Sequence, residues 1–112
     1  MLVDAAHYQF SQTQVTVTAY CDRGRTASGT MARDGVAAVD PHLIRMGSII
    51  RIISKFKREA LALLRRTKFR AEDTGGYIIG NHIDVWMPNC SQAILWGKRV
   101  ALVQIAQPLV AR

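Results

Sequence analysis

Long apolar runs, cysteine clusters and acidic residues are scarce in this 112-residue chain. No apolar run approaches the ~18 to 20 residues of a transmembrane helix. The first residues contain neither a basic segment nor an apolar segment, so we do not expect them to form a signal peptide. The two cysteines, Cys21 and Cys90, form no CxxC motif and no Cys/His cluster. We therefore expect no zinc or other metal site.

The two cysteines leave two interpretations open. In a reducing compartment, lone thiols are usually small core residues. In an exported protein, two cysteines suffice for one disulfide, which would close a long loop and stabilise the fold by ~4 kcal/mol on the chain-entropy model. The sequence favours neither.

Basic charge is what the chain has in excess. Its net charge is +7 and its pI is about 10.1, which suits a polyanionic partner such as nucleic acid, an anionic membrane surface or a bacterial wall. Seven of the fifteen basic residues lie within residues 55–70: Lys55, Lys57, Arg58, Arg65, Arg66, Lys68 and Arg70.

Apolar residues at helical spacing in the same stretch predict an amphipathic basic helix over residues 54–68, with Ser54 as its N-cap. The plainer interpretation is a helix packed on the protein with a solvated basic face. The more specific interpretation is a docking surface over residues 55–70 for an anionic wall polymer or a membrane.

The remaining pattern predicts a mainly β protein. Apolar content of 49% and charged content of 21% are those of a globular chain, and the length fits one domain. Many short strands with Gly-rich turns predict a small barrel, with a second short helix between Ser91, its expected N-cap, and Gly97. Strands are expected at 15–21, 35–39, 48–53, 69–72, 83–86 and 100–105.

Residues 71–85 hold the strongest candidate site. Asp73 and Asp84 lie eleven residues apart, and three glycines, Asn81 and His82 stand between them. We interpret this as a turn-rich loop after Asp73, followed by a strand that carries Asp84 between apolar neighbours. An ionised carboxylate is costly to bury unless it is paired or hydrogen-bonded, which marks Asp84 as a functional candidate. The plain alternative for Asp73 is a cap on the Gly-Gly turn, and for Asp40 an Asp-Pro turn.

Five segments in a fixed order resemble the three-aspartate (Asp-Asp-Asp, 3D) domain of bacterial cell-wall proteins. That domain is similar to the catalytic part of membrane-bound lytic murein transglycosylase A and of stationary-phase survival and resuscitation-type proteins. The three aspartates of the name fall on Asp40, Asp73 and Asp84. The segments are residues 17–20, 26–30, 38–41, 71–85 and 93–100.

The polar, irregular start of the chain predicts a leader over residues 1–14, either a strand or a loose end. We expect the domain over 15–107 and a tail over 108–112. Two features depart from the family pattern. Relatives usually have a short Gly-rich turn in place of residues 54–68, and residues 44–47 lack the usual proline. Neither departure involves the aspartates.

What the resemblance implies is a six-stranded double-psi β-barrel, an extracytoplasmic location in the cell wall or periplasm, and cleavage of peptidoglycan glycan strands without a cofactor. Asp84 would be the catalytic acid, with Asp73 and Asp40 as supporting carboxylates. The acid would protonate the oxygen between N-acetylmuramic acid and N-acetylglucosamine. As a carboxylate it would then take the proton of the sugar's own C6 hydroxyl, so that an anhydro sugar closes without water. This role requires the pKa of Asp84 to exceed that of a free aspartate.

Polar and small residues around these aspartates are expected to contact the sugar, and His82 to orient the site. Aromatic residues either stack on sugar faces or fill the core, and we assign Trp96 to the core. The expected substrate-binding residues are Thr26, Ser28, Thr30, Thr74, Gly75, Gly76, Asn81 and His82.

Two other functions remain open. One is a non-catalytic module on the same barrel that binds wall glycan. The other, which the sequence disfavours, is a basic protein that binds a polyanion or a membrane through residues 55–70. Such binding would be strongly salt-dependent. We do not expect nucleic acid as the partner.

Overall fold

Six β-strands and two short α-helices form the part of the chain that the computed structural model describes, residues 5–110. A single 3-10 turn, Ala5–His7, precedes them. The predictions that fall on residues 1–4 and 111–112 lie outside the described residues. In chain order the elements are β1 (Tyr8–Tyr20), β2 (Val36–Ala38), β3 (Ile49–Ile52), α1 (Arg58–Leu64), β4 (Lys68–Asp73), β5 (His82–Trp86), α2 (Cys90–Trp96) and β6 (Arg99–Pro108).

The strands close into a barrel in the order β1-β5-β2-β4-β3-β6. Strands β1 and β5 pair in parallel, as do β2 and β4, and the other four pairs are antiparallel. The predicted mainly β, six-stranded barrel with an inserted helix and one short helix is confirmed. A strand forms at each of the six predicted places.

The barrel interior follows the period-two pattern of the sequence. Val15 and Val17 on β1 and Ile83 and Val85 on β5 are buried, and the residues between them are less buried. Successive strand residues point to opposite faces, so Thr16, Thr18, His82 and Asp84 lie on the face away from the core. This alternation places the candidate acid outside the apolar interior.

Strand β1 is longer than the sequence predicted. Residues 8–14, expected as a leader strand or a loose end, pair with residues 102–108 of β6 in one antiparallel ladder. Their side chains are mostly exposed, so they lack the apolar alternation that reveals a half-buried strand. The tail expected from residue 108 also begins later, because Pro108 is still the last residue of β6.

The predicted basic helix is wrong in length and in its cap. Helix α1 has seven residues, and its N-cap position is Lys57, whose side chain makes no capping bond. The Ser54 hydroxyl instead accepts from Leu102 N–H at 2.6 Å. Arg65 adopts φ 66° and ends the helix, and Lys68 and Arg70 belong to β4. The cations of residues 55–70 therefore do not share one helical face.

Helix α2 begins earlier than predicted, and a disulfide joins it to the barrel. Asn89, not Ser91, is the N-cap, and its side chain accepts from Gln92 N–H at 3.1 Å. Cys90, the first residue of α2, forms the disulfide with Cys21, which settles the open question about the cysteines. The predicted core position of Trp96 is confirmed: it is 1% exposed, and its Nε1–H donates to the Val17 carbonyl at 3.0 Å.

Candidate functional site

A row of four paired residues crosses the face away from the core. Thr18 on β1 pairs with Asp84 on β5, Asp84 pairs with Ala38 on β2, and Ala38 pairs with Asp73 on β4. Residues paired across adjacent strands point to the same face of a sheet. The two candidate aspartates therefore share one face, separated by two strand spacings, or about 10 Å between their Cα atoms.

A bulge in β4 turns Asp73 toward this face. Ala37 pairs with Ala71, but the next residue, Ala38, pairs with Asp73, so Glu72 is an extra residue in the ladder. Simple alternation from the buried Ala71 would have pointed Asp73 into the barrel. A bulge re-aims the side chains that follow it, and here it brings Asp73 beside Asp84.

Asp84 is half-buried, and its surroundings favour the protonated acid. Burial raises the pKa of Asp84 above its ordinary value of 3.8, and the negative charges of Asp22 and Asp73 raise it further. A hydrogen bond from the Thr18 hydroxyl to Asp84 Oδ1, 2.8 Å long, opposes this rise, as does nearby His82. The balance is upward, because removal from water penalises the charged form.

His82 contacts Thr18, the residue that donates a hydrogen bond to Asp84. Its Nε2 is 2.8 Å from the Thr18 oxygen. A hydroxyl has a single proton, so when Thr18 donates to Asp84, His82 Nε2 must be the N–H donor to Thr18. His82 is thus linked to Asp84 through Thr18, and its orienting role stays a prediction.

Asp73 is surrounded by donors. Its Oδ1 accepts from the backbone N–H of Ala27 and of Thr74, both at 2.9 Å, and its Oδ2 accepts from the Tyr20 hydroxyl, also at 2.9 Å. Both carboxylate oxygens of Asp73 are therefore engaged by hydrogen bonds. Burial and the hydrogen bond to Asp73 raise the pKa of Tyr20, so its hydroxyl stays a donor at neutral pH.

Asp40 has a different setting from the other two aspartates. Its Oδ1 accepts from His42 N–H at 3.0 Å, and its Oδ2 accepts from Gly80 N–H at 2.9 Å. These bonds lower the pKa of Asp40 below 3.8. Gly80 has φ 76°, a conformation that favours glycine. Asp40 thus closes its own Asp-Pro turn and holds the loop that leads into β5.

The predicted hydroxyl residues form one cluster beside Asp73. The oxygens of Thr26, Ser28 and Thr30 lie 2.8–3.2 Å from one another. Ser28 N–H also donates to the Glu72 carbonyl at 3.0 Å, which fastens this loop to the bulge. A groove of about 470 Å³ adjoins this hydroxyl cluster. Its lining residues are Ala27, Ser28, Thr30, Met46, Gly47, Arg70, Ala71, Glu72 and Thr74.

The loop between the two aspartates is exposed. Gly76 has open space where a side chain would begin, and a side chain at Gly75 would press on Ile78 at 3.0 Å. The Asn81 carbonyl accepts from Thr16 N–H at 2.9 Å. Tyr77 is 94% exposed, so its ring is free to stack on a ligand.

Trp86, by contrast, is buried, and its Nε1–H donates to the Asp22 carbonyl at 2.8 Å. It therefore belongs to the packed part of the barrel.

Thr18 and Tyr20 are site residues that sequence reasoning undervalued. Thr18 was only part of a matched segment, and Tyr20 was considered for stacking or the core. Their alternation on β1 was visible. The contact of Thr18 with Asp84 depends on the parallel pairing of β1 with β5, which joins residues more than sixty positions apart. The contact of Tyr20 with Asp73 on β4 spans 53 positions.

Two negative findings complete the geometry. Within residues 5–110, no three His, Cys, Asp or Glu side chains are grouped so that they could hold a metal ion. In the same range, no helix has the length and apolar character needed to cross a membrane.

Comparison with known proteins identifies the family. The family model for the 3D domain matches residues 35–107. The chain belongs to the 3D domain family. The three aspartates predicted for this family lie inside the match, whereas β1, with Thr18 and Tyr20, precedes it.

Two curated relatives of this 3D domain come from Bacillus subtilis strain 168. It is 32% identical over 99 residues to the "Putative cell wall shaping protein YabE", covering 85% of the chain and 22% of that protein. It is 35% identical over 100 residues to the "Cell wall-binding protein YocH", covering 81% of the chain and 31% of that protein. The chain thus spans less than a third of either relative.

Solved structures share the fold at low identity. The crystal structure of E. coli MltA with bound chitohexaose matches with a TM-score of 0.54 and 18% identity, over 81% of the chain and 29% of MltA. The Streptomyces papain inhibitor (SPI) matches with a TM-score of 0.59 and 13% identity, over 87% and 94% of the two chains. An enzyme and an inhibitor share this barrel, so the fold alone does not determine function.

Proposed function

We propose that this 3D domain cleaves peptidoglycan glycan strands as a lytic transglycosylase, outside the cytoplasm, with Asp84 as general acid and then base. The observation that carries the proposal is the pair of unlike aspartates on one face. Burial raises the pKa of Asp84 above its ordinary value, whereas Asp73 accepts hydrogen bonds from three donors. Two carboxyl groups whose surroundings differ in this way are suited to different roles.

Asp84 has the features of a proton donor. Among the residues described, Thr18 donates to Oδ1, and no hydrogen bond engages Oδ2. Oδ2 is therefore free to carry the proton toward a glycosidic oxygen. As the bond between the muramoyl C1 and that oxygen breaks, the Asp84 proton moves to the leaving oxygen. The Asp84 carboxylate then takes the proton of the C6 hydroxyl, whose oxygen closes on C1 to form the anhydro ring. No water is consumed.

Asp73 has the features of a charge stabiliser. Both of its oxygens are occupied by donors, so it is not placed to shuttle a proton. Its negative charge favours the positive, oxocarbenium-like centre that develops on the sugar. The neighbouring groove beside Ser28, Thr30 and Thr74 offers hydroxyl groups to the glycan, and the exposed Tyr77 ring offers a stacking surface.

The test is digestion of purified peptidoglycan, followed by mass spectrometry of the soluble products. Wild type should release anhydro-muropeptides, and Asp84→Asn should release none while remaining folded. Reducing-end products from wild type would mean that water is the acceptor, and would contradict the transglycosylase reaction.

A non-catalytic wall-binding function is the second candidate, favoured by the name of the 35% identical relative, "Cell wall-binding protein YocH". In this case neither wild type nor Asp84→Asn would release products. Both would still sediment with the wall.

A further inference from the structure

Beside the groove lies a basic pocket, which we call the arginine pocket. It has a volume of about 250 Å³ and continues from the groove, because Arg70 and Glu72 line both. Four cations and two carboxylates contribute to its wall. The full lining is Arg33, Asp34, Gly35, Ile49, Arg66, Lys68, Phe69, Arg70 and Glu72.

The two carboxylates of this pocket are already paired. Glu72, 6% exposed, accepts from Arg33 at 2.8 Å. Asp34 lies 3.5 Å from Arg65, which is not part of the lining. Among residues 5–110, no carboxylate pairs with the guanidinium of Arg66 or of Arg70. The pocket therefore keeps an excess of positive charge after its own acids are counted.

Arg66 is held in place by the local backbone. The left-handed Arg65 ends α1, and the Arg66 N–H donates to the Leu64 carbonyl at 2.8 Å. A side chain at Gly35 would come within 2.7 Å of Arg66 Nη1, so the guanidinium lies against the Gly35 backbone. Arg70 is fixed one strand away, since its N–H donates to the Gly35 carbonyl at 2.7 Å.

We propose that the arginine pocket binds carboxylates of the peptide stem that a muramoyl residue carries. A planar guanidinium matches a carboxylate with two parallel hydrogen bonds. The pocket lies on the Glu72 side of the groove, next to the point where Asp73 would face the sugar. A stem attached to a sugar in the groove would extend past Glu72, which lines both the groove and the pocket. This inference rests on the proposed function, because it takes the groove to hold a glycan strand.

The experiment compares sedimentation binding of Arg66→Gln/Arg70→Gln with wild type on three walls. The first is peptidoglycan stripped of wall polymers, with its stems intact. The second is the same material after an amidase has removed the stems. The third retains its phosphate polymers. The matched control, Lys55→Gln/Arg58→Gln, removes two cations of the same stretch that do not line the pocket, and thermal melting checks that all variants are folded.

We expect the pocket variant to bind the first wall about tenfold more weakly, as the loss of charge-assisted hydrogen bonds predicts. Its binding to stem-free glycan should equal that of wild type. The control should match wild type on both.

Three results would overturn the proposal: an equal loss on stem-free glycan, an equal loss in the control, or a loss seen only with the phosphate polymers. The pocket and the groove can fail separately. If wild type binds only walls with stems, and the pocket variant loses that binding, the pocket is supported. The same failure of wild type to bind stem-free glycan would argue against the proposed glycan groove.

Discussion

Asp84 and Asp40 are two aspartates of one family motif with opposite surroundings. Asp40 accepts two backbone N–H groups from the turn and the loop that it connects, and its pKa is lowered. Asp84 accepts one hydroxyl proton, is half-buried, and its pKa is raised. Backbone donors favour an anion that anchors structure, whereas burial with few donors favours an acid that can give up a proton. The family name counts three aspartates, but their contacts distinguish Asp40, which anchors a turn and a loop, from Asp84, the proposed acid.

The largest expected effect is on catalysis. Asp84→Asn should lower the rate of anhydro-muropeptide release by about 10³-fold, the scale of a lost general acid. Asp40→Asn should stay within about fivefold of wild type, since its carboxylate contacts only the turn and the loop. Initial rates on the same peptidoglycan measure both. Equal losses in the two variants would mean that Asp40 is the supporting carboxylate that the sequence predicted.

A smaller effect is expected at Asp73. Tyr20→Phe removes the one side-chain donor to Asp73 and should lower the cleavage rate by about tenfold, the scale of one hydrogen bond to a charged group. Tyr77→Phe keeps a ring at the exposed loop and serves as the control, with little change expected. Rates at saturating substrate distinguish this from weaker binding. An unchanged rate in Tyr20→Phe would remove Tyr20 from the site.

Thr18→Val tests the surroundings of Asp84 through the pH dependence of the cleavage rate. The Thr18 hydrogen bond lowers the pKa of Asp84, so its loss should raise that pKa further. The proposed cleavage requires protonated Asp84, so the alkaline side of the pH–rate profile should move to higher pH. Thr18→Ser keeps the hydroxyl and should leave the profile in place. A shift toward acid in Thr18→Val would contradict the assignment.

The smallest effect is on stability, and its sign differs between the two aspartates. The pKa of Asp84 is raised in the fold, so the native protein loses stability as pH rises from 3.8 through that pKa. Asp84→Asn should thus melt at a higher temperature than wild type at pH 7, with the difference vanishing below pH 3.8.

Asp40 should behave in the opposite way. Its lowered pKa gives stability that is present above pH 3.8 and is lost as pH falls through the folded pKa. Asp40→Asn should melt below wild type at pH 7 by roughly a few degrees, and the gap should close in acid. Calorimetry from pH 2 to 8 measures all three proteins. If both variants shift the melting temperature at pH 7 in the same direction, the proposed contrast between Asp84 and Asp40 is contradicted.

The sequence predicted the elements well and their mutual contacts poorly. Apolar periodicity located all six strands, and the glycine-rich spacing of Asp73 and Asp84 pointed to the candidate site. The bulge at Glu72 and the pairing of Thr18 with Asp84 have no local signature, because strand register depends on residues far apart in the chain. Helix α1 was predicted too long, since a left-handed Arg65 is rare for a residue with a side chain and its pattern matched a continuing helix.

The most direct test is a carbon-13 NMR titration of the side-chain carboxyl groups, assigned with Asp84→Asn and Asp40→Asn. The two aspartates should titrate on opposite sides of their ordinary value of 3.8, with Asp84 above it and Asp40 below it. An Asp84 carboxyl that titrates at or below 3.8 would contradict the direction of its shift and its proposed role as the acid.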